Sequence, residues 1–190
     1  MSRRTQAQRR EETQSLVLLS ACRLFGEKGY AATSVDDIAA DCDVTTRPIY
    51  HYFGNKQALF TATVEVMSER ISIKPELSGE QPTQTITQHW RHFLELCDDP
   101  HFRQIVLIDA PNILGRERWA VSPSVIAVQQ RMMQQAGDSK EEQFRLTLLG
   151  RMLIAALTEA ALMIADADDI ELAKQQSERL VQQLLGQITF

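Results

Sequence analysis

Three consecutive polar residues at a predicted helix start, Thr45, Thr46 and Arg47, are the strongest candidates for specific chemistry in this chain. Arginine can donate two hydrogen bonds to guanine O6 and N7, and threonine is short enough for base edges, thymine methyl groups or phosphates. Pro48 fits the first helical turn, where a missing N–H costs little. The pattern predicts a helix end that enters a DNA groove and reads bases.

Further polar residues around this helix end could bind DNA phosphates and position the reader. Tyr50 and His51 follow about one turn later, and Lys56 lies at the start of the next predicted helix, whose free N–H groups attract anions. The remaining phosphate candidates are Thr33, Ser34, Arg3 and Arg4. Simpler interpretations stay open, because Tyr50 could pack in a core, His51 could be a surface histidine, and charge runs are usually solvated.

Other site chemistries have weaker signals. His89 and His92 are three residues apart with Glu95 following, but no HExxH motif or cysteine cluster accompanies them. The cysteines, Cys22, Cys42 and Cys97, are widely spaced, which is typical of reduced thiols. No glycine-rich phosphate loop or catalytic signature is present. We therefore expect no metal, no cofactor and no enzyme.

Hydrophobic periodicity predicts helices around these residues. Apolar residues from Val17 to Phe25 repeat on one helical face, so a first helix over 10–28 is expected, preceded by a flexible arm over 1–9 and ended by Gly29. Ser34 begins a second helix that ends near residue 41, and Thr45 begins a third. Gly54 is expected to end the third helix. Asn55 is expected to cap a fourth helix that runs to about residue 73.

The remainder of the chain also has helical spacing. A segment with two prolines and a glycine, residues 74–83, is the clearest boundary. Further helices are predicted over 83–98, 101–114, 118–136, 139–166 and 168–188. No segment alternates with a period of two over a useful length. The prediction is an all-α fold of about nine helices.

Charge is distributed unevenly over the 190 residues. The net charge is −5. Residues 1–56 hold eight basic and seven acidic side chains, and residues 1–10 hold four arginines without an acid. An acidic body with a basic end suits a protein that contacts nucleic acid at one end. The apolar stretch 152–165 is shorter than a membrane span, so we expect a cytoplasmic protein without a membrane.

At this point the sequence resembles the TetR family of bacterial transcriptional regulators. The resemblance covers about residues 15–60 and is specific in its spacing. It rests on these residues: Leu24-Phe25, Gly29-Tyr30, Thr33-Ser34-Val35, Ile38-Ala39, Val44-Thr45, Ile49-Tyr50-His51-Tyr52-Phe53, Asn55-Lys56 and Leu59-Phe60. Cys42 and Asp43 depart from the small residue and glycine common in the turn. The resemblance implies a helix-turn-helix domain over 1–56, a connecting helix over 57–73, and an effector-binding and dimerisation domain over 74–190.

The resemblance also implies a small-molecule cavity and a homodimer. Cavities are typically apolar and aromatic with a few placed polar groups. Residues of those kinds within 83–190 are Trp90, Phe93, Cys97, Phe102, Asp109, Asn112, Trp119 and Glu159. Among these, Glu159 stands out as a carboxylate in an apolar helix, which would need a partner if buried. The inferred dimer interface comprises Ala155, Ala156, Leu180, Val181 and Leu184.

The function that follows is a DNA-binding transcriptional regulator. The resemblance implies a repressor that binds a double-stranded operator as a homodimer and is released by a small-molecule effector. One alternative is a helical enzyme or ligand carrier that uses the second domain. Another is a helical module that binds protein through its first three helices.

Overall fold

Helices account for every regular element in the described parts of the chain. The computed structural model describes residues 5–71, 82–115 and 139–187. Its elements are α1 Gln6–Ala32, α2 Val35–Asp41, α3 Thr46–Phe53, α4 Lys56–Glu69, α5 Pro82–Cys97, α6 Pro100–Phe102, a π-helical segment Arg103–Asp109, α7 Ala110–Ile113, α8 Lys140–Ala165 and α9 Ile170–Gln187. The all-α prediction is confirmed. The predicted helix over 118–136 and most of the 74–83 boundary lie outside the described residues.

The first helix begins earlier than the sequence indicated. Thr5 accepts a hydrogen bond from the N–H of Gln8 (3.3 Å), and the Gln8 side chain accepts one from the N–H of Thr5 (2.9 Å). This reciprocal cap satisfies two of the free N–H groups at a helix start. The predicted flexible arm over 1–9 is therefore too long, since α1 starts at Gln6. At the other end, Gly29 leaves helical geometry with φ 77°, where the helix was expected to stop.

The chain forms two compact units whose boundaries differ from the predicted domains. The first unit comprises Met1–Met67 with Pro100–Arg116, and the second comprises Ser68–Asp99 with Glu117–Phe190. The difference arises because the continuous helix over residues 100–113, formed by α6, the π-helical segment and α7, packs against α1. A Cβ atom on Gly26 would lie only 2.5 Å from the Cβ of His101, so the two helices approach closely there.

An aromatic cluster forms the centre of the first unit. Phe25 and Phe60 are completely buried and meet edge to face, with ring centroids 5.1 Å apart. Tyr30 packs on both rings, at 5.8 Å from Phe25 and 4.9 Å from Phe60. Full burial of one such side chain contributes about 1.5–3 kcal/mol. Ile38 of α2 and Ile49 of α3 are also buried, so α2 and α3 are held by the same core.

The turn between α2 and α3 contains a backbone conformation that favours glycine. Asp43 has φ 53°, and it is the only non-glycine residue with positive φ in the described chain. The N–H of Val44 donates to the carbonyl of Ala39 (2.9 Å), which closes the turn. Asp43 therefore occupies the position where the sequence departs from the family pattern, and its Cβ is tolerated at some cost.

Replacing Asp43 with glycine is expected to stabilise the protein. Glycine adopts positive φ without the Cβ penalty, and this gain exceeds its greater chain entropy in the unfolded state by about 0.5–1 kcal/mol. Thermal unfolding should show a rise in Tm of a few degrees, since about 1 kcal/mol shifts Tm by roughly 2–4 °C at this size. Asp36→Gly, within the first turn of α2, is the control and should lower Tm. A lower Tm for Asp43→Gly would contradict this account of the turn.

The second unit is built from α5, α8 and α9. Trp90 of α5 is buried, and its ring N–H donates to the hydroxyl of Ser177 in α9 (3.3 Å). Arg91 donates to both carboxylate oxygens of Glu178, at 2.9 and 2.8 Å. This contact raises the pKa of Arg91 and lowers the pKa of Glu178. Lys174 also pairs with Asp98, the residue after α5 (2.8 Å). Contacts at several positions along α9 therefore join it to α5 and its C-terminal end.

One helix of the second unit is unusually apolar for its exposure. By length and composition, α8 could cross a membrane, although few of its residues are buried within the described structure. Core helices of soluble proteins meet the same requirements, so this property alone assigns no membrane. An apolar helix with this many exposed side chains is expected to pack against a further surface.

Candidate nucleic-acid interface

The start of α3 projects polar side chains away from the core of the first unit. Thr45 is the N-cap residue, but its side chain makes no capping hydrogen bond. Thr45, Arg47 and His51 are exposed, and Tyr50 is 50% exposed, whereas Ile49 on the opposite face is buried. Thr46 is half-buried. The buried face fixes the helix, and the exposed face presents hydrogen-bond donors at its first turn.

Two helix starts flank this exposed end. The Ser34 hydroxyl accepts from the N–H of Asp37 (3.0 Å) and donates to the Asp37 carboxylate (2.6 Å), which also accepts from the Ser34 N–H (2.8 Å). These bonds lower the pKa of Asp37, and nearby Lys28 and Lys56 lower it further. At α4, the Asn55 side chain accepts from the N–H of Ala58 (2.8 Å), as predicted.

Ser34 is exposed, but Asp37 already accepts hydrogen bonds from its hydroxyl and its backbone N–H. A phosphate would have to replace that carboxylate as the acceptor. Ser34 therefore stays a proposed phosphate contact.

The predicted phosphate contact of Thr33 is wrong. Its side chain is only 1% exposed, and its hydroxyl donates to the carbonyl oxygens of Gly29 (2.9 Å) and Leu24 (3.1 Å). Its backbone N–H is directed at the carbonyl of Tyr30 (3.4 Å). No donor of Thr33 is therefore left for DNA, and the residue instead secures the end of α1.

Lys56 lies at the start of α4 beside an aromatic ring. Its ammonium group is 4.2 Å from the centroid of the Tyr30 ring, within the range of a cation–π contact. The contact restrains a side chain that would otherwise be flexible. Lys56 therefore holds a positive charge at the N-terminus of α4, where the helix dipole also favours an anion.

The first helix reaches the same region through Arg10. Its guanidinium group lies 5.4 Å from the Tyr52 ring, and Tyr52 in turn packs 5.3 Å from the His51 ring. A basic residue of α1 is thus placed next to α3. Arg3 and Arg4 lie outside the described residues, so their proposed phosphate contacts stay predictions.

One polar contact in this unit was assigned incorrectly from the sequence. Asp109, predicted to line an effector cavity, accepts hydrogen bonds from the Tyr30 N–H (2.7 Å) and the Gln104 side chain (3.1 Å). Gln104 and Asp109 are brought together at i and i+5 by the π-helical segment. The pair holds the chain immediately after Gly29. Sequence spacing gave no sign of this, because helical patterns were assumed to have α geometry.

The other cavity candidates are divided between the two units. Phe102 is fully buried in the first unit, and Asn112 there is exposed and donates to the carbonyl of Ile108 (2.7 Å). Trp90, Phe93 and Cys97 belong to α5 of the second unit, where Trp90 and Phe93 stack at 5.9 Å. Trp119 lies outside the described residues. The eight candidates therefore do not form one cluster within either unit.

The solvent exposure of Glu159 and of the predicted dimer residues bears on their proposed roles. Glu159 is exposed, so its carboxylate does not need the partner that burial would require. Ala155 and Ala156 are exposed and Leu180 is 59% exposed, as an interface would require, whereas Val181 is 9% exposed and faces its own unit. The side chain of Leu184 is outside the described set.

Of the two histidines considered as metal ligands, His92 makes other contacts. His92 approaches the backbone carbonyl of Arg70 (2.9 Å), and its other ring nitrogen lies 3.7 Å from the Glu95 carboxylate. Within residues 5–71, 82–115 and 139–187, no group of three or more His, Cys, Asp or Glu side chains could hold a metal ion. The side chain of His89 is not described.

Comparison with known proteins identifies relatives of this chain. Residues 17–63 match the tetR family of bacterial regulatory proteins, and residues 83–188 match the C-terminal domain of tetracycline-repressor-like proteins. A TetR-family transcriptional regulator from Pectobacterium atrosepticum of known crystal structure is 31% identical, with 96% of each chain covered and a TM-score of 0.62. The match thus extends over both units.

Two curated relatives match over shorter regions. The uncharacterized HTH-type transcriptional regulator YerO of Bacillus subtilis is 29% identical over 109 residues, or 54% of this chain and 37% of the relative. The HTH-type transcriptional repressor Rv3405c of Mycobacterium tuberculosis is 36% identical over 63 residues, or 33% of this chain and 34% of the relative. The chain thus spans well under two thirds of either relative. Together, the exposed α3 and the matches over both regions show that this chain belongs to the TetR family of bacterial regulatory proteins.

Proposed function

We propose that this protein is a DNA-binding transcriptional repressor that binds an operator as a homodimer and is released by a small-molecule effector. The observation that carries the proposal is the exposed first turn of α3, where Thr45 and Arg47 project from a helix whose opposite face is buried through Ile49. A helix fixed in this way can enter a major groove with its N-terminal residues against base edges.

The contacts divide into reading and positioning groups. Arg47, Thr46 and Thr45 would contact bases, and Arg47 is suited to guanine because its guanidinium matches O6 and N7. Ser34, Tyr50, His51 and Lys56 would contact phosphates, together with Arg3 and Arg4. Few positive charges are involved, so specific binding depends on two copies of the reader acting together.

Dimerisation would place two α3 helices on one face of the DNA. In helix-turn-helix dimers, the two half-sites are one helical turn apart, about 34–36 Å. The proposed seam uses α8 and α9, and the exposed apolar face of α8 supports it. We place the protein in the cytoplasm, where cysteine thiols such as Cys22, Cys42 and Cys97 stay reduced.

The effector site is proposed in the second unit. Trp90, Phe93 and Cys97 of α5 are apolar residues of the kind that line small-molecule cavities, and Trp119 is a further candidate. The effector must bind one conformation of the protein more tightly than the other, because equal affinity shifts no equilibrium. Asp109 and Phe102 are no longer proposed as effector contacts, since they are used within the first unit.

Selection from a pool of random double-stranded DNA tests the proposed function. The expected result is enrichment of a sequence with two inverted half-sites spaced by one helical turn. A chain with Arg47, Tyr50 and His51 replaced by alanine serves as the control and should enrich nothing. Equal recovery of all sequences by the unaltered protein at low salt would overturn the proposal.

Lys56→Ala is expected to weaken binding of all DNA sequences alike. Removing one phosphate contact per subunit releases fewer counterions, so the slope of log K against log salt should fall by about one per subunit. Fluorescence anisotropy titrations at several salt concentrations measure this slope on the selected operator and on a scrambled duplex. Lys140→Ala, at the start of α8, is the matched control, and a slope for Lys56→Ala equal to that of the control would contradict the phosphate contact.

A further inference from the structure

Arg10 on α1 is a cation that contacts an aromatic ring. Its side chain is exposed, and its guanidinium group lies 5.4 Å from the centroid of the Tyr52 ring. Other arginines of the described chain pair with carboxylates, as Arg23 does with Glu27. Within residues 5–71, 82–115 and 139–187, no ion pair involves Arg10. Its positive charge is therefore not neutralised by any side chain of those residues.

The start of α1 fixes the backbone at Arg10. The capping box between Thr5 and Gln8 begins the helix at Gln6, so Arg10 lies in the second turn. Helix positions seven residues apart share a face, and Arg10 therefore lies on the same face as Val17, which is completely buried in the first unit. The core-facing side of α1 thus continues past the core to Arg10. This placement directs its side chain toward α3.

Tyr52 brings the charge of Arg10 next to the proposed phosphate contacts of α3. Tyr52 is half-buried, and its ring lies 5.3 Å from the ring of the exposed His51. An aromatic face attracts a cation but supplies no lone pair, so the N–H donors of the guanidinium stay available. Two of these donors can bind one phosphate. Base edges are reached by the N-terminal residues of such a helix, whereas Tyr52 lies near its C-terminal end, so the position of Arg10 suits the DNA backbone.

We propose that Arg10 binds a phosphate of the operator backbone and that Tyr52 is the positioning residue that holds it there. The inference rests on the proposed DNA binding and adds a contact from α1 to those of α3 and α4. Restraining a long side chain before binding reduces the conformational entropy that is lost on contact. Lys56 has the same arrangement, with its ammonium group 4.2 Å from the centroid of the Tyr30 ring. Each subunit would therefore present two ring-held cations to the DNA backbone.

The salt dependence of binding tests the phosphate contact. Arg10→Ala should lower the slope of log K against log salt by about 0.9 per subunit, on the selected operator and on a scrambled duplex alike. Arg9→Ala is the matched control, because Arg9 is the preceding exposed residue of α1, carries the same charge, and projects about 100° away around the helix. The control should change the slope by less than about 0.3 per subunit. Equal slopes for the two variants would overturn the proposal.

Substitutions at Tyr52 test the role of its ring. Tyr52→Phe keeps the aromatic face and should leave operator affinity within about twofold of the unaltered value. Tyr52→Leu removes the ring and should lower affinity about two- to fivefold for each half-site, the usual effect of losing one exposed cation–π contact. Tyr52→Met repeats the test if Tyr52→Leu does not fold.

A double-mutant cycle distinguishes positioning of Arg10 from a general structural role of Tyr52. In a protein that already carries Arg10→Ala, Tyr52→Leu should cause no further loss of DNA affinity, because the side chain that the ring holds is absent. Loss by the same factor with and without Arg10 would show that the ring acts independently, and would overturn the assignment of Tyr52.

Ethylation interference locates the contact and separates its failure from that of the proposed function. Ethylation removes the charge of one phosphate at a time. In each half-site, one phosphate should matter to the unaltered protein but not to Arg10→Ala, and a different one should lose its effect in Lys56→Ala. An unaltered protein that binds no DNA would remove the proposed function itself. The unaltered pattern in Arg10→Ala, with a changed pattern in Lys56→Ala, would leave DNA binding intact and remove only the Arg10 contact.

Discussion

Replacing Arg47 with alanine is expected to weaken operator binding by about 1–3 kcal/mol for each half-site, while binding to scrambled DNA changes little. The exposed guanidinium on the first turn of α3 is the best-placed donor for the O6 and N7 atoms of guanine. Two half-sites are affected at once in a dimer, which makes this the largest expected effect on DNA binding. Anisotropy titrations with both duplexes at one salt concentration measure the difference.

The contrast with Lys56→Ala makes the Arg47 experiment decisive. Lys56 is assigned to phosphate, so its loss should reduce affinity for both duplexes by the same factor. Arg47→Ala should also relax the sequence preference at one position in each half-site. If operator and scrambled DNA lose affinity equally in Arg47→Ala, the residue does not read bases.

Replacing Gly26 with alanine is expected to destabilise the first unit by about 1–3 kcal/mol, the usual effect of overpacking a close contact. The added Cβ would lie 2.5 Å from the Cβ of His101 and 2.9 Å from its Cα, so a side-chain rotation alone cannot relieve the clash. Either α1 or the helix over 100–113 must move. Thermal unfolding should show Tm lower by roughly 2–12 °C, given the usual shift per kcal/mol at this chain length.

A second effect should accompany the loss of stability in Gly26→Ala. The helix over 100–113 also holds Tyr30 through Asp109, and Tyr30 carries the Lys56 contact. Displacing that helix should therefore weaken DNA binding as well. Ser15→Ala, at an exposed position of α1, is the control and should leave both properties unchanged. Unchanged Tm in Gly26→Ala would contradict the close approach of the two helices.

Features determined by neighbouring residues could be predicted from the sequence. Ser34 begins α2 as predicted, where it forms a capping box with Asp37, and Asn55 caps α4. Gly54 ends α3 with φ 85°, a conformation that residues with a Cβ rarely adopt. Each of these depends on contacts within four residues, so residue type and order contain the needed information.

Features determined by distant contacts could not be predicted in the same way. Thr33 has the residue type of an exposed cap, yet its hydroxyl binds carbonyl oxygens of α1. Asp109 looked like a cavity acid, but its partner Tyr30 is 79 residues earlier in the chain. Glu159 stands in an apolar stretch of sequence, where burial would require a partner, and the structure leaves it exposed on α8. In each case, composition identified an unusual residue and tertiary packing decided its role.

Dimethyl sulfate protection shows whether Arg47 on α3 reads guanine in the major groove. This reagent methylates guanine N7, one of the two atoms that the guanidinium would contact. On the selected operator, the unaltered protein should protect one guanine in each half-site, and Arg47→Ala should leave both guanines reactive at concentrations that saturate the DNA. The same protection by both proteins would show that Arg47 does not contact guanine N7.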